Sequence, residues 1–259
     1  MPTVDVNGAR LWYDEAGSGP PLLLLHGGLG DSGLWEPVVP FLAERFRVIR
    51  TDLRFFGRST GPAAPWSWHA DIVGLLDELG VQRVALAGLS LGGRLAIEIA
   101  LGHPERVDAL ALVAPGLSGH AAAPYSDEQE ARYDAAEAEA DFDAMLAVDL
   151  EVWAPLGADD RIARLWFATP DANPLPGGVE PRSPAGPPAR ERLGELAVPT
   201  LVMTVSHDPE SFREIGPLIA SEAPNAQHVE LDSDHYVTLR EPELLATTLL
   251  DFLTPNVTQ

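Results

Sequence analysis

Val84-Ala85-Leu86-Ala87-Gly88-Leu89-Ser90-Leu91-Gly92-Gly93-Arg94 is an apolar run that turns into Gly-x-Ser-x-Gly, and it continues as Leu95-Ala96-Ile97-Glu98-Ile99-Ala100. The run reads as a buried strand, the continuation as a helix, and the pentapeptide as the sharp turn between them. Strand, turn and helix together are the setting in which this pentapeptide carries a nucleophile. A serine at the apex of so tight a turn occupies an unfavourable backbone region, and the residues two places either side must be small. Gly88 and Gly92 meet that need, having no Cβ to clash. The helix would start beneath Ser90 and aim its free N–H groups and positive dipole end at the hydroxyl. An ordinary glycine-rich turn before a helix is the alternative reading, and the buried strand in front of it argues for the nucleophile.

Outward from this stretch, strands and helices alternate. Val4 to Val6 and Arg10 to Asp14 read as a hairpin about Asn7-Gly8. Pro21 to Leu25 is a continuous apolar run, as in a strand buried on both faces of a parallel sheet, and it ends in His26-Gly27-Gly28-Leu29. Trp35 to Phe46 reads as a helix whose start is clouded by Pro37 and Pro40. A strand over Arg47 to Arg50, a helix over Trp68 to Leu79 and a strand over Val107 to Val113 follow. The alternation predicts right-handed crossovers and a doubly wound, mostly parallel, eight-stranded α/β sheet. It breaks at Gly116. Ser126 to Trp153 and Asp159 to Phe167 read as helices, and Thr169 to Pro188 holds seven prolines, too many for regular structure. It resumes with a strand over Val198 to Val205, a helix over Phe212 to Ala223, a strand over Gln227 to Leu231 and a helix over Pro242 to Leu253. Residues 1–116 and 197–259 are thus expected to form the core, and 117–196 a helical, Pro-rich insertion. Following the strand after the serine turn, the insertion should cover the carboxyl ends of the strands, where such sheets bind ligands. This makes it a lid, with a peripheral helical decoration as the alternative.

Composition narrows the chemistry. The chain has 259 residues, 46% of them hydrophobic, enough for one large domain with an insertion. No apolar run reaches membrane-spanning length, and Met1-Pro2-Thr3-Val4-Asp5 has no basic or apolar signal character, so a cytoplasmic location is expected. The net charge of −22, from 39 acidic and 17 basic residues, opposes nucleic acid and anionic membranes as partners. A small-molecule substrate is the expected partner, with a homodimer left open. The chain has no cysteine, which excludes disulfides, thiolate catalysis and cysteine metal sites. Neither a His-Glu-x-x-His metal motif nor a dinucleotide fingerprint is present, so no metal and no organic cofactor is expected.

Four motifs in order carry a resemblance: His26-Gly27-Gly28; Asp52-x-Arg54-x-x-Gly57-x-Ser59; Gly88-x-Ser90-x-Gly92-Gly93; and a late acid and histidine. With them nearly the whole chain resembles the α/β-hydrolase fold family, most of all small bacterial lid-bearing serine esterases and lactonases near the enol-lactone hydrolases and cofactor-free haloperoxidases. In that family the order is nucleophile, acid, histidine. The base position, in the loop between the last strand and the last helix, falls on His235. The acid position after the Val198–Val205 strand falls on Asp208, with Glu210 behind it. A helix cap before Pro209 is the other reading of Asp208. The two oxyanion N–H donors fall on Leu91 and Gly28, with Leu29 second for the latter. The triad Ser90, Asp208, His235 implies cleavage of an ester or lactone. The same triad also serves C–C hydrolysis, perhydrolysis or haloperoxidation, thioester cleavage and lyase chemistry, and a ligand-binding receptor could retain it.

Two departures stand out. Asp232-Ser233-Asp234 replaces the common Gly-x-Gly before the histidine, and the two carboxylates are expected to hold the imidazolium and raise its pKa. Phe55 replaces a loop glycine; were a positive φ needed there, the loop would have to be reshaped. Phe55 is either a core aromatic or a pocket wall. Asp52 and Arg54 read as a pair that fixes this loop. Leu29, Trp153 and Trp166 are candidates for the substrate pocket, although packing of the insertion on the sheet would explain the tryptophans equally well.

Overall fold

A computed structural model describes residues 2–62, 64–172 and 181–257. Eight strands make one sheet: β1 (Thr3–Val6), β2 (Ala9–Ala16), β3 (Pro21–Leu25), β4 (Arg47–Thr51), β5 (Val84–Leu89), β6 (Val107–Val113), β7 (Thr200–Val205) and β8 (Ala226–Leu231). Their spatial order is β1-β2-β4-β3-β5-β6-β7-β8. β2 runs antiparallel to β1 and β4, and every other pair is parallel. The opening hairpin turns on Asn7 and Gly8, both at positive φ, as a two-residue hairpin loop requires.

Ten α-helices follow in chain order among the described residues: α1 (Val39–Leu42), α2 (Trp68–Glu78), α3 (Leu91–Gly102), α4 (Asp127–Glu139), α5 (Phe142–Trp153), α6 (Asp160–Trp166), α7 (Glu210–Arg213), α8 (Ile215–Glu222), α9 (Val237–Arg240) and α10 (Pro242–Asn256). Side chains alternate across each strand, so the sheet divides the interior in two. Leu23, Leu25, Leu86, Leu110 and Val202 face one cluster with Ile72 of α2 and Leu95 of α3. Leu22, Leu24, Ala85, Ala111 and Met203 face the other with Leu245 and Leu249 of α10. Two buried faces explain why the central strands carry no polar alternation.

Three expected helices differ. The Trp35–Phe46 helix is instead a 3₁₀ turn, Ser32–Trp35, followed by the single turn α1. Pro37 and Pro40 have no N–H to give a continuous helix, and Asp31 caps the 3₁₀ turn by accepting from Gly33 N at 2.7 Å. The Ser126–Trp153 helix is two helices, because Ala140 adopts φ 52° and Asp141 caps α5 by accepting from Ala144 N. The Phe212–Ala223 helix is likewise divided into α7 and α8.

Segment 117–196 supplies α4, α5 and α6. Its Pro-rich part lies partly outside the described residues, at 173–180. Met145, Leu146 and the fully buried Trp166 form a small core of their own with Ala136. The end of the segment turns inward, and Ala189, Leu193 and Leu196 join the cluster beneath α3.

Candidate active site

Ser90 closes β5 at φ 52°, ψ −112°. A non-glycine residue there is uncommon and strained, and such strain clusters at functional sites. The crossing is tight: a Cβ on Gly88 would stand 2.3 Å from Gly92 O, and one on Gly92 would stand 2.3 Å from Leu25 O. Ser90 N–H donates to Val113 O at 2.9 Å, and Ser90 O accepts from Arg94 N and Gly116 N, both at 3.0 Å. The N–H of Leu91 opens α3, where no earlier turn offers an acceptor. The His26–Leu29 turn abuts the serine, since a Cβ on Gly27 would lie 3.3 Å from Ser90 Cβ and one on Gly28 4.0 Å from Leu91 Cδ2.

Asp208 follows β7 and His235 follows β8, at the same carboxyl edge of the sheet as Ser90. His235 Nδ1 and Asp208 Oδ2 are 2.7 Å apart, with side chains 4% and 2% exposed. An ionised carboxylate only accepts, so Nδ1 is the donor of this bond. Asp208 is therefore not a helix cap: α7 begins after Pro209 with no side-chain cap. Glu210 lies exposed at the first position of α7. Backbone bonding joins the two loops, with His207 N donating to Ser233 O at 3.0 Å. The His235 ring touches Trp153, centroids 4.5 Å apart, and Phe212, edge-on at 5.9 Å, and these two rings also meet edge-on at 4.8 Å.

The two extra carboxylates do not serve the imidazole. Asp232 is exposed and accepts from Ser206 Oγ and His207 Nε2. Asp234 is buried and accepts from Arg240 Nε at 2.6 Å and Nη2 at 2.7 Å, and from the N–H groups of Tyr236 and Leu156. Its charge is balanced by Arg240, whose guanidinium also reaches Gly157 O.

The expected Asp52–Arg54 pair is also different. Asp52 is held by Arg58 and accepts from Ser32 N. Burial alone would raise its pKa, but the hydrogen bonds from Arg58 and Ser32 outweigh it and keep the carboxyl below the usual range. Arg54 makes a two-point, fully buried contact with Asp71 on α2, at 2.7 and 2.8 Å. Between them Phe55 holds φ 74°. Phenylalanine itself adopts the left-handed conformation here, with its ring edge-on to Trp66 at 5.1 Å.

Among the pocket candidates, Leu29 is half-buried between the core and the insertion, and Trp153 covers His235. Trp166 is a correction. It is fully buried inside the insertion and donates Nε1–H to Asp149 Oδ2 at 2.6 Å, so it offers no surface to a substrate. Asp149 also accepts from Tyr125 O–H at 2.6 Å, and Tyr125 accepts from Trp153 Nε1–H at 3.2 Å. Burial pushes the Asp149 carboxyl up from its ordinary value. Sequence reasoning missed Asp149, yet the signal was there. Met145, Leu146, Asp149, Val152 and Trp153 share one face of α5 at helical spacing, and a lone acid on an apolar stripe asks for a reason.

The other histidines are engaged elsewhere. His26 Nδ1 meets Gly27 O at 2.8 Å and its Nε2 accepts from Leu53 N at 2.9 Å. His69 stacks on His103, His120 meets Ser211 O, and His228 meets Thr204. Among the described residues no group of three or more metal-ligating side chains is placed to hold an ion, and no helix is long and apolar enough to cross a membrane.

This fold and this strand–serine–helix turn define a hydrolase architecture, and the chain belongs to the alpha/beta hydrolase fold family, whose model matches residues 20–242. Among solved structures it is similar to the enol-lactonase of Burkholderia xenovorans LB400, at 25% identity over 98% of this chain and 100% of that one, TM-score 0.75. It is also similar to Est816, an N-acyl homoserine lactone degrading enzyme, at 27% identity over 97% and 100%, TM-score 0.76. The 2-hydroxymuconate semialdehyde hydrolase of Pseudomonas sp. strain CF600 is 39% identical over 115 residues, 41% of this chain and 40% of that protein. The aligned stretch spans between a third and less than half of the length of the curated relatives the chain matches.

Proposed function

We propose that the protein is a serine hydrolase that cleaves a carboxylic ester or lactone of small to medium, apolar character through an acyl-enzyme on Ser90. The observation that carries this reading is the buried Asp208–His235 pair, on the sheet edge that also bears Ser90 at its strained turn. In this mechanism His235 Nε2 takes the hydroxyl proton as Ser90 Oγ attacks the carbonyl carbon. Asp208 stays ionised and stabilises the imidazolium. The oxyanion accepts N–H bonds from Leu91 and Gly28, beside the positive end of α3. His235 then protonates the leaving alcohol, which for a lactone stays tethered to the acyl group. Water, deprotonated by His235, attacks the acyl carbon, and the acid leaves as Ser90 regains its proton. Segment 117–196 acts as the lid, with Leu29 and Trp153 bounding the apolar pocket and Phe55 at its margin.

The similarity to a 2-hydroxymuconate semialdehyde hydrolase favours a second reading, C–C bond hydrolysis with the same residues. A panel of esters and lactones of graded size, run beside a C–C substrate and a fluorophosphonate label, separates the two. Ester or lactone turnover and labelling, both abolished by Ser90→Ala, are expected. Rapid C–C cleavage with negligible ester turnover would replace the first reading by the second. Absence of labelling and of all turnover would sink both.

A further inference from the structure

We propose that Asp149 is a positioning residue for His235, acting through Tyr125 and Trp153; the claim rests on the reading of His235 as the base. The chain of contacts begins inside the insertion. Asp149, 1% exposed, takes Trp166 Nε1–H on one oxygen and Tyr125 O–H on the other, both at 2.6 Å. Tyr125 in turn takes Trp153 Nε1–H at 3.2 Å, and the Trp153 ring lies 4.5 Å from His235. Among the described residues no arginine, lysine or histidine pairs with this carboxylate, an arrangement that costs stability without a compensating cation.

The polarity of the chain explains why an acid stands there. Both indoles can only donate, and the hydroxyl has one proton to give. One group that accepts on two sides is needed, and it must draw the Tyr125 proton so that the phenol lone pair turns to Trp153. A carboxylate does this; an asparagine cannot, because its amide N–H would meet a donor or leave the Tyr125 proton without an acceptor. Asp149, accepting on both oxygens, therefore fixes the direction of every bond and, with it, the plane of the Trp153 ring. The ring matters because Trp153, Phe212 and His235 pack against one another as three touching rings. Trp153 packed against the imidazole opposes its rotation away from Asp208, and an aromatic ring beside a forming imidazolium is favourable.

The test uses the full chain as wild type, Asp149→Asn, Trp153→Phe and the double variant. Each is assayed on a p-nitrophenyl ester and examined by NMR with ¹⁵N-labelled histidine, the His235 signal being identified by its loss in His235→Gln. Asp149→Asn is expected to lower kcat about tenfold with KM changed less than about twofold. Its His235 Nδ1 proton should exchange with water faster than in the wild type. Trp153→Phe removes the N–H at the end of the chain, so the double variant should be no worse than Trp153→Phe alone. An unchanged kcat and an unchanged His235 signal in Asp149→Asn would overturn the proposal, as would losses that add fully in the double variant. Should Asp149→Asn fail to fold, Tyr125→Phe cuts the same chain and must show the same faster exchange. A wild type that turns over no ester and takes no fluorophosphonate label would end the hydrolase reading. The NMR comparison decides the positioning claim in that case too.

Discussion

His235 gives its Nδ1 proton to Asp208 Oδ2 across 2.7 Å, at the bottom of two loops that bond to each other through His207 N and Ser233 O. In the proposed mechanism the acid thereby leaves Nε2 as the nitrogen that serves Ser90. Asp208→Asn keeps the shape but reverses this, since its amide can donate to Nδ1 and drive the proton to Nε2. The variant should lose about 10³–10⁴ in kcat with little change in thermal stability. Steady-state kinetics on an ester beside a melting curve will check it, and a loss under tenfold would contradict the assigned role.

The pH dependence of stability should carry the mark of His26. Burial pushes this imidazole below its ordinary value, and both ring nitrogens are engaged: Nδ1 with Gly27 O and Nε2 as acceptor from Leu53 N. The unfolded chain takes up a proton near pH ~6.5, while the native state resists it. Its folded pKa is depressed, so the contribution is complete above pH ~6.5 and drains away as pH falls toward the folded value. Melting temperature against pH should slope downward from about pH 6.5 in the wild type. The slope should be weaker in His26→Gln; equal slopes would assign it elsewhere.

At Phe55 the usual ranking of glycine and alanine should invert. Both replacements lose the edge contact with Trp66. Only glycine relieves the φ of 74°, worth about 1 kcal/mol. Phe55→Gly should therefore be more stable than Phe55→Ala by about 1 kcal/mol in urea unfolding. The opposite order would mean that the loop relaxes around alanine.

Arg54 and Asp71 are both almost wholly buried and doubly bonded. Arg54→Leu strands the Asp71 carboxylate and should destabilise by about 3–5 kcal/mol. Replacing Asp71 by leucine as well should recover much of that, because the pair itself contributes little beyond cancelling its own desolvation. Denaturant midpoints of the two singles and the double would show it.

Much of the fold is legible in the sequence. Apolar runs such as Leu22–Leu25 suit strands buried on both faces, and Gly88 and Gly92 announce a crossing too close for a Cβ. Asp208 and His235, singled out by their places after the last two strands, pair with each other. Local electrostatics were less legible, because sequence neighbours are not spatial partners. Asp52 met Arg58 rather than Arg54, and Asp234 turned from His235 to Arg240. Trp166 looked like a lid aromatic because helical period cannot tell the face toward a substrate from the face toward neighbouring helices. The split of the long helix at Ala140 rests on one residue at positive φ, a position that no propensity for alanine would suggest.

Asp234, next in sequence to His235, grips Leu156 N–H while its partner Arg240 reaches the Gly157 carbonyl. The stretch just past α5 and the loop bearing the imidazole are thereby stitched into one rigid piece. Moving residues 156–157 outward would pull on the loop whose His235 is bonded to Asp208. The two segments are therefore coupled, and neither shifts without straining the other's anchor.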